Sequence, residues 1–154
     1  MENVWQRNEI IAHSACLARS FRRFTGRELL PGLFNPAALA RNLFHAPFVL
    51  VSHGTEPDPI LNYGNAAALA LWEMPWDELT GTPSRLTAEA PVRDERARLL
   101  AAVTAHGFID DYSGVRISRT GRRFRIARAT VWNLVTEQGT PCGQAAVFSE
   151  WVHL

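Results

Sequence analysis

Lysine is absent from this chain: all sixteen basic residues among its 154 are arginine. Every cation is therefore a planar, permanently charged fork. A surplus of either sign is missing as well. Fifteen acidic residues leave a formal charge of +1, so no strong field recruits nucleic acid or an anionic membrane. Cysteine is scarce. Cys16 and Cys142 stand far apart, neither in a CxxC pair, which argues against a disulfide scaffold and for a reducing compartment. No apolar run approaches the roughly 18 residues of a membrane span. Arg7 and Glu9 interrupt the start "MENVWQRNEIIAHSAC", so no signal-peptide apolar region forms. The expectation is a soluble, cytoplasmic protein that touches neither membrane nor nucleic acid.

Motifs of catalysis and metal binding are missing too. There is no GxSxG, no HExxH and no phosphate-cradling glycine loop. His13 and Cys16 have a ligand-like spacing, but no second pair accompanies them, and a structural zinc site wants four ligands. His45, His53, His106 and His153 stand singly. No metal is expected. Asp110 and Asp111 are neighbours on an expected strand, where consecutive side chains face opposite sides, so they cannot act jointly on one substrate atom.

What is present is a core-forming chain, 47% apolar. Ile10, Ser14, Leu17, Phe21 and Phe24 recur with helical period and form one stripe, with Gly26 as the stop. A short helix is expected over Pro36 to Leu43. "PFVLVSH" and "ILNY" read as two short strands joined by the "GTEPDP" turn. Gly64 is expected to end the second strand through its backbone freedom, and Asn65 to cap the small-residue helix "AAALALWEM". "PVRDERARLLAAVTAHG" is the clearest internal helix, opened by Pro91 and closed by Gly107. Three strands follow, near 109–118, 123–135 and 143–151. This order predicts an α+β fold, a five-stranded antiparallel sheet with helices on one face. Residues 1–45 form an amphipathic helical extension and 46–154 the domain.

The order of elements resembles the PAS fold. Long runs go further. "SHGTEPDP", "WDEL", "PSRLTAE", "GFIDDYSGVRIS", "RRFRI" and "VWNL" resemble the MEKHLA domain, and "SACLARSFRRFTGREL" looks like the leader of its bacterial stand-alone members. The resemblance covers nearly the whole chain. It implies a PAS-related sensor of a ligand or redox signal, and it carries no catalytic residues. Fold alone does not fix function. Haem-binding PAS domains use a His on the longer helix, and only His106, at its end, is available. Flavin photoadduct chemistry needs an Asn-Cys-Arg-Phe-type motif that this chain lacks. No cofactor is expected, with haem and flavin left open.

A sensor of this architecture binds its ligand between the sheet and the main helices, in a mostly apolar pocket with a few placed polar groups. Arg96, Val103 and His106 share one face of the internal helix. Arg96 would grip a carboxylate or phosphate, or else pair with an acid such as Glu73 or Asp111. His106 would meet the ligand, or else sit at the helix C-terminus, where the dipole favours it. In "RRFRIARATVWNL", Arg128 and Thr130 share a side with Trp132; either they bind something, or a bulge near Ala127 switches the phase and buries Ala127, Ala129 and Val131. Trp72, Trp76, Tyr112 and Trp132 would line the pocket or pack the core. The stripe Ile10, Leu17, Phe21 and Phe24 is assigned to a homodimer interface, the alternative being that it folds back on its own sheet. The leading reading is a ligand-binding sensory module that signals through dimer packing to a separate partner. The second is a dimerisation or interaction domain with a filled core. The third is a small enzyme in the same cavity.

Overall fold

The computed structural model of the chain describes residues 3–154. Six antiparallel strands form one sheet: β1 (Val49–His53), β2 (Leu61–Gly64), β3 (Phe108–Ile117), β4 (Arg123–Val135), β5 (Pro141–Phe148) and β6 (Glu150–His153). The spatial order is β2-β1-β5-β4-β3. After Ser149, β6 pairs with the first half of β4, from Phe124↔His153 to Ala127↔Glu150. The last of the five expected strands is thus present but broken in two.

Between β2 and helix α3 (Ala66–Trp72) stands Asn65, fully buried. Its Oδ1 accepts from the Ala68 amide at 3.1 Å, the cap expected from sequence, and from the Leu50 amide at 3.1 Å. Its Nδ2 donates to the carbonyls of Leu43 and Phe48. One side chain thereby joins two helices to β1. Gly64 serves a different purpose from the one expected. It is not among the glycines with positive φ; instead, a Cβ there would stand 3.0 Å from Leu79 Cδ2. Its bareness lets the short helix α4 (Trp76–Leu79) pack on the strand.

Both faces of the sheet are covered. Helix α1 (Asn8–Thr25), ended by Gly26 at φ 74°, and α2 (Pro36–Phe44) lie over one face. There Ile10, Leu17 and Phe21 pack with Leu50, Tyr63, Trp132 and Leu134. Helices α3 and α5 (Arg93–His106) lie on the other, over Val49, Phe124, Ile126, Ala129 and Phe148. The helices expected on one face are there, and the N-terminal extension supplies a second cover. Leaving an aromatic such as Phe21 in water would forfeit about 2 kcal/mol, and the chain's own sheet takes it. Among the described residues no helix is long and apolar enough to cross a membrane.

Of the two readings of β4, the bulge is the one observed, and it buries Ala129 and Val131 while Ala127, expected to be buried with them, stays half-buried. Arg128 has φ 55° and Asp111, on β3, has φ 57°. The β3–β4 register shifts on both sides of Tyr112↔Ala129. An extra residue on each strand compensates the other, and β4 changes phase between Ile126 and Ala129.

Candidate functional site

A cavity of about 70 Å³ lies between the sheet and α5. Helix α5 contributes Arg96, Leu99 and Leu100, α3 contributes Trp72, and β3 contributes Tyr112 and Arg116. Val51 and His53 border it from β1, and Ile126, Val131, Ala146 and Phe148 complete apolar walls from β4 and β5. The alternation of strand side chains places these residues together: 51 and 53 point one way, as do 112 and 116.

Two guanidiniums meet here. Arg96 donates from Nη2 to the Ser84 hydroxyl at 2.9 Å. Arg116 is 8% exposed, stacks over the Tyr112 ring at 5.6 Å, and donates to its hydroxyl at 3.1 Å and to the Val115 carbonyl at 2.9 Å. Among the described residues neither has a carboxylate within ion-pair distance. The acids expected to pair with Arg96 do not. Glu73 accepts from Ser118 at 2.6 Å and also from Thr120, and Asp111 is exposed. Burial, and then the neighbouring Arg116 charge, push the Arg96 pKa down to about 10.

His53 and Trp72 border the same cavity and are 8% and 3% exposed. His53 Nδ1 lies 3.0 Å from the Gly54 carbonyl. A carbonyl only accepts, so Nδ1 carries the hydrogen and Nε2 is left as an acceptor. Burial lowers the His53 pKa and favours this neutral form. Neither His53 Nε2 nor Trp72 Nε1 has a hydrogen-bond partner. Gly143 lets β5 approach this point closely, since a Cβ there would stand 2.2 Å from the His53 carbonyl oxygen. His53 and Gln144 also border an open groove beside Phe24 and Thr104. The Gln144 amide donates to the Leu100 carbonyl at 3.1 Å and to Thr104 Oγ1 at 3.0 Å, and Asn133 donates to the Val103 carbonyl at 3.0 Å. These bonds fasten α5 to the sheet.

Of the residues expected to bind ligand, Trp72, Arg96 and Tyr112 come together at the cavity. Val103 is buried under α5 but does not line it. His106 is exposed at the helix end, so the one histidine α5 offers to haem points out of the site. Arg128, turned outward by the bulge, pairs with Glu150 at 3.4 Å. Thr130 and Trp132 are buried on the α1 face, Thr130 donating to Asp110 at 2.6 Å and Trp132 edge-on to Phe21 at 4.8 Å. Of the stripe assigned to a dimer, Ile10, Leu17 and Phe21 are buried within the chain and Phe24 is half-buried near Gly107. Sequence reasoning missed His53 and Arg116. Alternation with Val51 and with Tyr112 was the signal that could have found them.

Other reactive groups lie on the α1 side. The Ser52 hydroxyl donates to Asn62 at 2.5 Å and accepts from His13 Nε2 at 2.8 Å; its proton is turned away from the histidine, which is not the arrangement of an activated nucleophile. Burial lowers the His13 pKa to about 4. Cys16 and Cys142, remote in sequence, stand 3.8 Å apart, both as free thiols. No three metal-ligating side chains cluster among the described residues.

Several solved structures share this architecture. A PAS domain from Colwellia psychrerythraea has a TM-score of 0.61 at 12% identity, over 75% of this chain and 92% of that one. A fungal Light-Oxygen-Voltage domain photoreceptor has a TM-score of 0.61 at 15% identity, over 96% and 98%. An RNA-binding Light-Oxygen-Voltage receptor reaches 0.65 at 18% identity, over 80% of this chain and 36% of that longer protein. A further Light-Oxygen-Voltage domain, known from work with a flavin analogue, has a TM-score of 0.56 at 17% identity, over 75% of this chain and 84% of that one. At about 70 Å³ the cavity here is far smaller than the roughly 300–1,000 Å³ pockets that hold drug-sized ligands, and neither cysteine borders it. No functionally curated protein matches the chain. The MEKHLA domain model matches residues 11–153. That match spans nearly the whole chain, and this chain belongs to the MEKHLA domain family.

Proposed function

We propose that the chain is a PAS-like sensory module that binds a small molecule under α5. One observation supports this above the others: two guanidiniums without an acid, an unpartnered imidazole nitrogen and an unpartnered indole N–H all border one cavity. A buried polar group left unpaired costs about 1–3 kcal/mol. The guanidiniums keep hydrogen bonds to Ser84, Tyr112 and the Val115 carbonyl, so it is the two unpartnered groups, set beside two cations without an acid at one cavity, that a ligand would satisfy. The enzyme reading draws little support from Ser52, which borders the cavity but gives its proton to Asn62 rather than to His13.

Occupancy changes how α5 sits on the sheet, and strands β4 and β5, shared by both faces, carry the change to α1. Output through a homodimer, using Ile10, Leu17, Phe21 and Phe24, then requires α1 to leave the sheet, and a separate partner reads that state. A ligand drives this only by binding the two states unequally. The test is hydrogen exchange of the full chain, with native mass spectrometry and a thermal-shift screen across metabolites. A copurified or added small molecule that slows exchange in α5 supports the sensor. A blank screen and a bare native mass return the chain to an interaction domain.

A further inference from the structure

We infer that the ligand is a small hydroxycarboxylate, held by Arg96 and Arg116 through its carboxylate and by His53 through its hydroxyl. The inference rests on the ligand-binding reading of the same cavity and deepens it. Size comes first. A cavity of about 150 Å³ takes benzene, so about 70 Å³ takes a molecule of about two to four carbons.

Charge comes next. Arg116 is buried and Arg96 half-buried at the same cavity, and among the described residues no carboxylate is paired to either; two like charges so placed ask for an anion, and guanidinium forks match a carboxylate. Asp58, an acid whose charge is felt at Arg96, is bound to Arg85 at 3.1 Å. The walls decide between anions. Val51, Leu99, Leu100, Ile126, Val131 and Phe148 give inorganic phosphate nothing to bond and give a carbon chain a surface.

The neutral groups finish the assignment. Trp72 Nε1–H needs an acceptor, which a carboxylate oxygen supplies. His53 Nε2 is an acceptor without a donor. A ligand hydroxyl meets it, whereas a ligand ammonium would add a third cation beside two arginines.

Titration calorimetry and thermal shift of the full chain in carboxylate-free buffer test this, with glycolate, lactate, propionate, lactamide and inorganic phosphate as probes. Glycolate or lactate binds saturably and raises Tm. Propionate binds about tenfold more weakly for want of the hydroxyl, and lactamide about tenfold or more weakly for want of charge. Arg96→Gln and Arg116→Gln each weaken lactate about tenfold or more, while Arg96→Lys recovers part of the loss. The ligand comparisons stand even where a variant fails to fold. Equal binding of lactate and lactamide, equal binding of lactate and propionate, or binding of phosphate alone overturns the inference. So does silence from every carboxylate. In that case a neutral molecule seen by native mass spectrometry of the protein as isolated leaves the sensor reading standing, and its absence takes both down.

Discussion

The two faces of the sheet are both buried, but by different means. On the α1 face, Leu17, Leu43, Leu50, Tyr63 and Trp132 are wholly or almost wholly shielded, and Phe21 sets its ring edge-on to Trp132. That helix has a continuous apolar stripe to spend. On the α5 face, Val103 is the one fully buried residue of the helix, and Gln144 and Asn133 hold it by hydrogen bonds. Elements with few buried apolar contacts open at the lowest free energy. Unpaired polar groups occur on both faces, Tyr63 Oη and Trp132 Nε1 on one and His53 Nε2 and Trp72 Nε1 on the other, but only the second pair borders the cavity. The lesson is a division of labour: one layer is glued by packing, and the other keeps space, charge and a loosely held roof.

Matched truncations measure that contrast. Phe21→Ala removes a ring from the filled face and costs about 3–5 kcal/mol, whereas Leu99→Ala, half-buried beside existing space, costs less than about 1.5 kcal/mol. Urea unfolding of both variants checks the pair; equal losses would erase the distinction. Acid probes the filled face next. His13 has its folded pKa depressed to about 4 from 6.5. The unfolded chain therefore binds the proton more readily between these values, and stability present above pH 6.5 is lost as pH falls towards 4. The loss attributable to His13 is about 3 kcal/mol. His13→Gln keeps a donor for Ser52 and removes the titration, so its stability-against-pH curve is flatter over that window. Superimposable curves would show that His13 is not the group responsible.

Much of the fold was legible because it rests on local rules. The α1 stripe, the Asn65 cap and the β3–β4–β5 meander follow from periodicity and turn chemistry, and each appears within a few residues of its expected place. Half of the site was legible for the same reason: Trp72, Arg96 and Tyr112 lie on faces that the sequence pattern marks. Phase and partnership were not. Paired bulges at Asp111 and Arg128 depend on two strands at once, and they decide that Trp132 meets Phe21 rather than a ligand. Arg96's lack of an acid also could not be read locally, because Glu73 is claimed by Ser118, 45 residues along the chain. The Cys16–Cys142 approach spans 126 residues and leaves no trace in spacing.

Ala146 offers the smallest and most specific change. It lies on β5 between Val51 and Val131, its partners across the two neighbouring strands, and all three border the cavity. Ala146→Val adds two methyl carbons to a β-branched-tolerant strand position where there is space to receive them. Filling a cavity commonly adds about 0.5–2 kcal/mol, and the lower half of that range suits a residue that is already partly exposed. The same methyls take volume from a cavity of about 70 Å³, so ligand-induced stabilisation should disappear while the free protein becomes harder to unfold. Thermal melts with and without ligand check both halves in one experiment. A variant less stable than its parent would mean the space is not there to fill. One that gains stability yet still answers ligand would put the binding site elsewhere, and the α5 face would then be a second packed layer like the first.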